Sequence, residues 1–449
     1  MVKKNSGLFG LLFGTPAMAE VFSDRGRLQG MLDFEAALAR AEADAGVIPV
    51  PAAQAIARHC VAAEFDIEAL AQATAWAGNT AIPLIKALTQ RVAALDADAA
   101  RWVHWGATSQ DAIDTGLVLQ MRAAIGLLIG DITRLEHALA KLARDHAGTL
   151  MAGRTWLQHA VPVTFGLKAA GWLSALRRAH ERLRETARHG LALQFGGAAG
   201  TLASLGDQGI AVSANLAKDL DLVLPDLPWH ANRTRIADLA CALGLLCGVL
   251  GKIARDISLL MQSEIGEAFE PAAAGKGGSS TMPQKRNPTG CAVALSAAIR
   301  APQLVATILT AMPQEHERGL GGWHAEWQSL PELFVSTAGA LAQMTGVVSG
   351  LEIDTARMEK NLDASGGLIL AEAVSMALAL AVGKEKAHAL VEAASKRAQQ
   401  QNRPLRDIVA EDAAITAHLS IDTLAQIFEA RNYLGMNHIF IARALREQG

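Results

Sequence analysis

The sequence predicts an all-α protein built on long, packed helices. Two observations carry that prediction. Hydrophobic residues make up 51% of the 449 positions but aromatic residues only 4%, with one tyrosine. Strands draw on aromatic and β-branched side chains, so this balance favours helices. The second observation is periodic. Leu117, Met121, Ile125, Leu128, Ile132, Leu135, Leu139 and Leu142 are separated by gaps of mostly four and three. Ile236, Leu239, Leu243, Leu246, Leu250, Ile253, Ile257 and Leu260 repeat the alternation without a fault. A period near 3.5 held this long marks helices of a coiled-coil-like bundle. At 1.5 Å per residue each helix is about 36 Å long, which predicts a bundle extending across subunits rather than one large monomeric bundle.

The elements follow in order. "MVKKNSGLFGLLFGTPAMAE" has a basic end, a short apolar run and an A-x-A-like box, and so imitates a signal peptide. Gly10 and Gly14 interrupt the run, and a structured cytosolic N-terminus is expected. A first helix starts near Ser23 or Asp24, both good N-caps, carries Leu28, Met31, Leu32 and Leu38 on one face, and stops near Gly46 and Pro49. Soft boundaries near "HWGATSQD" and "SGLEID" divide the chain into an N-terminal helical domain (1–107), a central long-helix domain (108–352) and a C-terminal helical domain (353–449). No stretch reaches the roughly 18 uninterrupted apolar residues of a membrane span; Glu372 breaks the best candidate, "GGLILAEAVSMALALAVG". Net charge is −3 with both signs mixed, which points to neither a nucleic-acid nor a membrane surface and fits a cytoplasmic protein. Cys60, Cys241, Cys247 and Cys291 have neither metal-ligand nor disulfide-framework spacing, and read as buried free thiols.

Three polar islands interrupt the helical pattern. In "VHWGATSQDAIDT" (103–115), Thr108 or Ser109 caps the following helix, and Asp111 stands three residues after Thr108 as in a capping box. Beyond a cap, hydroxyls and N–H groups at a helix start bind anions well. "GRTWLQHAVPVTFG" (153–166) sets Arg154, Thr155, Gln158 and His159 ahead of Pro162 and a long helix, either as structure or as a binding site. In "GKGGSSTMPQKRNPTG" (275–290), three glycines permit a mobile loop, and Asn287 with Pro288 makes a strong helix start. A lead-in to a helix does not require Ser279 and Ser280 beside Lys285. A hydroxyl near an ammonium and a positive helix end can form an alkoxide or hand over a proton.

At these residues the chain resembles the fumarase/aspartase superfamily, which includes argininosuccinate and adenylosuccinate lyases. "GSSTMPQKRNP" matches its signature loop; "HWGATSQDAIDT" and "GRTWLQHAVPVTFG" match its two other active-site regions in the right order, and "LQFGGAAGTLASLG" extends the likeness. The resemblance implies an all-α, three-domain subunit with a long central helical bundle, in a homotetramer whose active sites are shared between subunits. By carry-over, Ser279 transfers the proton at the substrate's α-carbon, Lys285 and Asn287 hold the carboxylate whose charge grows, and Thr108, Ser109, Gln158, His159 and Arg318 grip the other carboxylates. Ser280, His104, Arg154, Arg25 and Lys276 are further candidates, of which Arg25 and Arg154 could equally be ordinary ion-pair or capping residues.

Two departures separate the chain from the superfamily's amine lyases. Those enzymes carry His at the place of Trp156 and Glu at the place of Ala292. An expelled amine must be protonated by an acid of tuned pKa. A carboxylate, with a conjugate acid near 4, joins or leaves without that help. The resemblance also implies a cycloisomerisation, the intramolecular addition of a carboxylate on a tricarboxylate substrate, and the departures favour it over an amine lyase. In the other reading Trp156 only fills space and His104 or His159 supplies the acid. A non-catalytic, crystallin-like protein on the same scaffold is the remaining alternative. No metal site and no nucleotide-binding glycine motif is visible, so no cofactor is expected.

Overall fold

The computed structural model describes residues 7–272, 277–278, 281–282 and 284–446. It is 70% helical and 4% strand, which bears out the all-α class. The helices used below are α1 (Asp24–Asp44), α2 (Val50–Arg58), α3 (Ser109–Asp145), α4 (Phe165–Gly190), α5 (Gly209–Asp219), α6 (Thr234–Leu260), α7 (Thr289–Thr310) and α8 (Gly322–Ser349). Two short antiparallel pairs complete the set: β1 (Leu150–Thr155) with β2 (Gln158–Thr164), and β3 (Ala268–Phe269) with β4 (Glu352–Ile353).

The chain forms two compact units. The first holds Met1–Thr133, Arg178–Gly251 and Ala292–Gln343; the second holds Arg134–Arg177, Lys252–Cys291 and Met344–Gly449. In the first, Ser23 caps α1 by accepting the Gly26 N–H at 3.0 Å, as its position predicts. Leu28, Met31, Leu32 and Leu38 are all buried. α1 crosses α3 backbone to backbone: a Cβ on Gly30 would lie 2.6 Å from the Gly116 carbonyl oxygen. Only glycine permits that approach. Upstream, Phe13 and Gly14 lie against α8, where a Cβ on Gly339 would meet the Phe13 carbonyl oxygen at 2.2 Å.

The two periodic seams fall on α3 and α6, of 37 and 27 residues. Every seam residue of α6 is buried, and so is each of α3 except the half-buried Leu142. By length and composition α3, α6 and α7 could each cross a membrane. In their most apolar stretches α3 is 72% buried and α6 61% buried, but α7 only 28%. α7 therefore leaves an apolar face open, with Ile299 67% exposed.

In the second unit one apolar cluster joins Val374, Leu378, Val391, Leu405, Ile408 and Ile415 from the C-terminal helices. The β1–β2 hairpin, which the sequence reading leaves out, also lies here. It pairs Arg154 with His159 and Thr155 with Gln158 across a two-residue turn. That turn is Trp156–Leu157, with φ of +52° and +64°. Left-handed backbone at bulky residues costs roughly 1–2 kcal/mol per residue. Both side chains point into solvent, Trp156 at 97% exposure.

Candidate active site

The first island is a scaffold. Asp111, fully buried two residues into α3, accepts five hydrogen bonds. Its Oδ2 takes the N–H groups of Thr108 (3.0 Å) and Gly197 (2.9 Å). Its Oδ1 takes Gly196 N–H (3.1 Å), Gln194 Nε2 (3.1 Å) and His230 Nε2 (2.7 Å). The Thr108 bond is one half of the expected capping box. Three of the others hold the glycine loop of "LQFGGAAG" against the 104–108 turn, and the fourth ties in His230 from the segment before α6. Thr115 adds its hydroxyl to the Gln194 carbonyl at 2.7 Å. Gly197, with φ of +68°, sits so close that a Cβ would lie 3.0 Å from the Gly106 carbonyl oxygen.

One turn on, Asp114 accepts from Arg233 Nη1 (2.6 Å) and Trp323 Nε1 (2.9 Å). Arg233, fully buried, also donates through Nε to Glu326 at 3.0 Å and lies 4.8 Å over the Trp229 ring. Burial pushes the Glu326 carboxyl above its ordinary range, and Arg233 partly offsets this. A buried guanidinium shared by two carboxylates is costly to break, so the loop between α5 and α6, and the start of α8, are pinned to α3.

On this scaffold the 104–108 turn and the start of α3 carry His104, Thr108 and Ser109, and Arg318 reaches the glycine loop that packs against that turn. Thr108 and Ser109 are half-buried, and their hydroxyls have no hydrogen-bond partner among the described residues. His104 adopts φ of +60°, and its Nδ1 lies 2.6 Å from Oε1 of the buried Glu35. Burial disfavours the imidazolium, but Glu35 and, less strongly, Asp111 outweigh it and raise the His104 pKa. Arg318 donates through Nη2 to the Ala198 carbonyl at 3.1 Å, and its buried Nε has no partner among the described residues. Beside it a 540 Å³ cleft is lined by Gly200, His230, Arg233, Gln314 and His316. Arg25 stands exposed in the first turn of α1; its neighbour Arg27 is the one that turns inward, to the Trp327 carbonyl at 3.2 Å.

The second unit holds the other islands. Gln158 and His159 begin β2, exposed. Desolvation, with the positive charge of Arg154 next, lowers the His159 pKa. Arg154 is committed to a bidentate pair with fully buried Glu267, at 2.6 and 2.9 Å; Asn361 donates to the same carboxylate at 2.8 Å. Arg154 thus braces the hairpin, the ion-pair role left open for it.

The signature loop has a firm root. Asn287 N–H donates to the Gly277 carbonyl at 2.9 Å, and a Cβ on Gly277 would meet the Asn287 carbonyl oxygen at 2.7 Å. Arg286 bonds Glu352 at 2.8 Å, donates to the Glu270 carbonyl, and stacks 5.0 Å over Phe269. The sequence expects Asn287 to cap α7. Instead its side chain turns back to Gly278, while buried Glu270 accepts the N–H groups of Gly290 (3.1 Å) and Cys291 (2.8 Å). A full carboxylate is the stronger partner for a positive helix end. Lys285 is exposed at the end of the loop. Ser279, Ser280 and Lys276 lie outside the described residues.

Long seams, an all-α subunit and these three islands define a lyase of the fumarase/aspartase type, and the chain belongs to that family. The family model described as "Lyase" matches residues 13–302, and "Adenylosuccinate lyase C-terminus" matches 367–444. The chain is 57% identical over 98% of its length to the 3-carboxy-cis,cis-muconate cycloisomerase of Pseudomonas aeruginosa, covering 96% of that protein. It is 56% identical, over 98% of both chains, to the protein of the same name from Bradyrhizobium diazoefficiens. The crystal structure of the 3-carboxy-cis,cis-muconate lactonizing enzyme from Pseudomonas putida superposes with a TM-score of 0.93 at 52% identity, covering 98% of each chain.

Proposed function

We propose that the protein is a cytoplasmic cycloisomerase that converts 3-carboxy-cis,cis-muconate to a carboxymuconolactone. The observation that carries this reading is the full-length likeness to relatives of that name, at 57% and 56% identity. The chemistry of Trp156 and Ala292 agrees with it. The hairpin tip carries an indole where an amine lyase needs an acid, and a carboxylate nucleophile needs none.

In the mechanism, one carboxylate of the substrate attacks a carbon of the conjugated diene. The π pair moves toward the α-carbon of another carboxylate, giving an enolate-like dianion, and a proton then reaches that carbon. Holding the attacking group in place is worth up to about 7–11 kcal/mol in favourable cases. Ser279 delivers the proton. Lys285 and Asn287 steady the growing charge. Ser280, Thr108, Ser109, Gln158, His159, His104 and Arg318 recognise the remaining carboxylates. Arg154 acts through the hairpin it braces, and Arg25 has the weakest claim.

The working unit is a homotetramer with sites shared between subunits, each subunit divided into domains at 1–107, 108–352 and 353–449. The open apolar face of α7 supports this. Other subunits would cover Ile299 and its neighbours; the seams of α3 and α6, Leu142 apart, are already buried within the one chain. The test is turnover of 3-carboxy-cis,cis-muconate beside adenylosuccinate, followed by ultraviolet absorbance. Loss of the muconate signal alone is expected; turnover of adenylosuccinate alone would replace this reading with the amine lyase.

A further inference from the structure

We infer that Glu35 is a positioning residue for the active site: it binds Nδ1–H of His104 and turns the opposite ring nitrogen, with the charge of an imidazolium, toward a substrate carboxylate. The inference rests on the reading of His104 as a substrate-binding residue. Glu35 is 1% exposed on α1, and among the described residues its carboxylate has one hydrogen-bond partner, His104 at 2.6 Å; Oε2 has none. Burying a carboxylate costs several kcal/mol unless it is well paired. A carboxylate kept there for one imidazole, which is itself 16% exposed and within reach of water, serves the ring rather than the helix.

The backbone also commits to the arrangement. His104 holds left-handed φ of +60°, a conformation that non-glycine residues adopt at a cost and that clusters at functional sites. The Gly30–Gly116 crossing brings α1 close enough for Glu35 to reach the ring. Nε2 has no hydrogen-bond partner among the described residues. The 104–108 turn that carries His104 is held by Asp111, and it leads to the hydroxyls of Thr108 and Ser109, which have no hydrogen-bond partner among the described residues. A carboxylate–imidazole pair fixes the tautomer and raises the basicity of the ring.

The charged groups around this pair act in one direction. Asp111 faces His104 from α3 and favours its protonation. Behind Glu35 on α1 lies the buried Glu42, and beyond α2 the buried Cys60 thiol; burial and the Glu35 charge push both toward their neutral forms. Neither then competes for the proton of His104.

The test is Glu35→Gln, which keeps an acceptor for Nδ1–H and removes the charge. Two measurements are made with carbon-13-labelled histidine: the titration of the His104 signal, assigned against His104→Gln, and the affinity for tricarballylate, a saturated tricarboxylate. The His104 pKa is expected to fall, because the Glu35 charge that outweighs burial is gone. The tricarballylate Kd should rise about tenfold at pH 8 and by clearly less at pH 5.5, where more of the variant's imidazole is protonated. Glu35→Asp should lie between. An unchanged titration, or a loss of affinity equal at both pH values, would overturn the inference. If Glu35→Gln fails to fold, His104→Gln decides: its Kd must rise and lose its pH dependence between pH 6 and 8.5. Should the titration and affinity move as expected while 3-carboxy-cis,cis-muconate is not turned over, the positioning role stands and the proposed reaction falls.

Discussion

Replacing Asp111 with asparagine tests the scaffold at its centre. The change keeps the shape but exchanges one oxygen for an amide that donates. Oδ1 accepts three hydrogen bonds and Oδ2 two, all from donors. Whichever way the new amide turns, at least two N–H donors lose their acceptor, and His230 or the loop N–H groups meet a donor instead. A buried donor left unsatisfied costs about 1–3 kcal/mol, so Asp111→Asn should cost about 2–6 kcal/mol. At about 2–4 °C per kcal/mol for a large domain, the melting temperature falls by roughly 5 °C or more. The glycine loop, Gln194–Gly200, carries the Ala198 carbonyl that holds Arg318, so KM should rise as well, about tenfold or more. Differential scanning calorimetry reads the first effect and steady-state kinetics the second. A variant melting within 1 °C of the parent, with an unaltered KM, would refute the view that this carboxylate organises the first island.

Two further outcomes follow from particular residues. Burial, with the nearby Glu35 charge, raises the Glu42 pKa from 4.5 to about 9. The folded chain then holds a proton that the unfolded chain releases, and each pH unit between those values costs up to about 1.4 kcal/mol. Stability from the protonated form is complete below 4.5 and declines as pH rises toward 9. Glu42→Met should therefore raise the melting temperature more at pH 8.5 than at pH 5; an equal gain at both would show that Glu42 is not neutral in the fold. At the hairpin tip, Trp156→Asn with Leu157→Gly supplies residues that accept left-handed φ at both turn positions. Local stability, read by hydrogen exchange of β1 and β2, should rise by about 2–4 kcal/mol for the two positions together while turnover falls, since the proposed reading places the tip at the site. Unaltered turnover would reduce the tip to a turn.

Much of the fold is legible in the sequence because it is periodic. The seams on α3 and α6 and the Ser23 cap need only local spacing. The hairpin escapes because Trp156–Leu157 carries none of the Asn–Gly chemistry that marks such turns. The scaffold is half legible: Asp111, Asp114 and Thr115, at spacings of three and four, share one face of α3, and three polar residues there signal buried partners. The partners themselves, Gln194, His230, Arg233 and Glu326, come from distant segments, and nothing local announces them. Glu270 displaces Asn287 from the start of α7 for the same reason: capping rules see neighbours in sequence, whereas this cap arrives from twenty residues upstream. Glu35 reads as one more polar position on an amphipathic helix until the glycine crossing sets it against His104.

The central claim is that a hydroxyl of the signature loop protonates carbon while a substrate carboxylate closes the ring. The most direct measurement is the loss of 3-carboxy-cis,cis-muconate absorbance with the parent protein and with Ser279→Ala, at matched oligomeric state. Loss of one proton-transfer group is expected to lower kcat by about a hundredfold or more, with KM changed little. Turnover of Ser279→Ala within a few-fold of the parent would contradict the account.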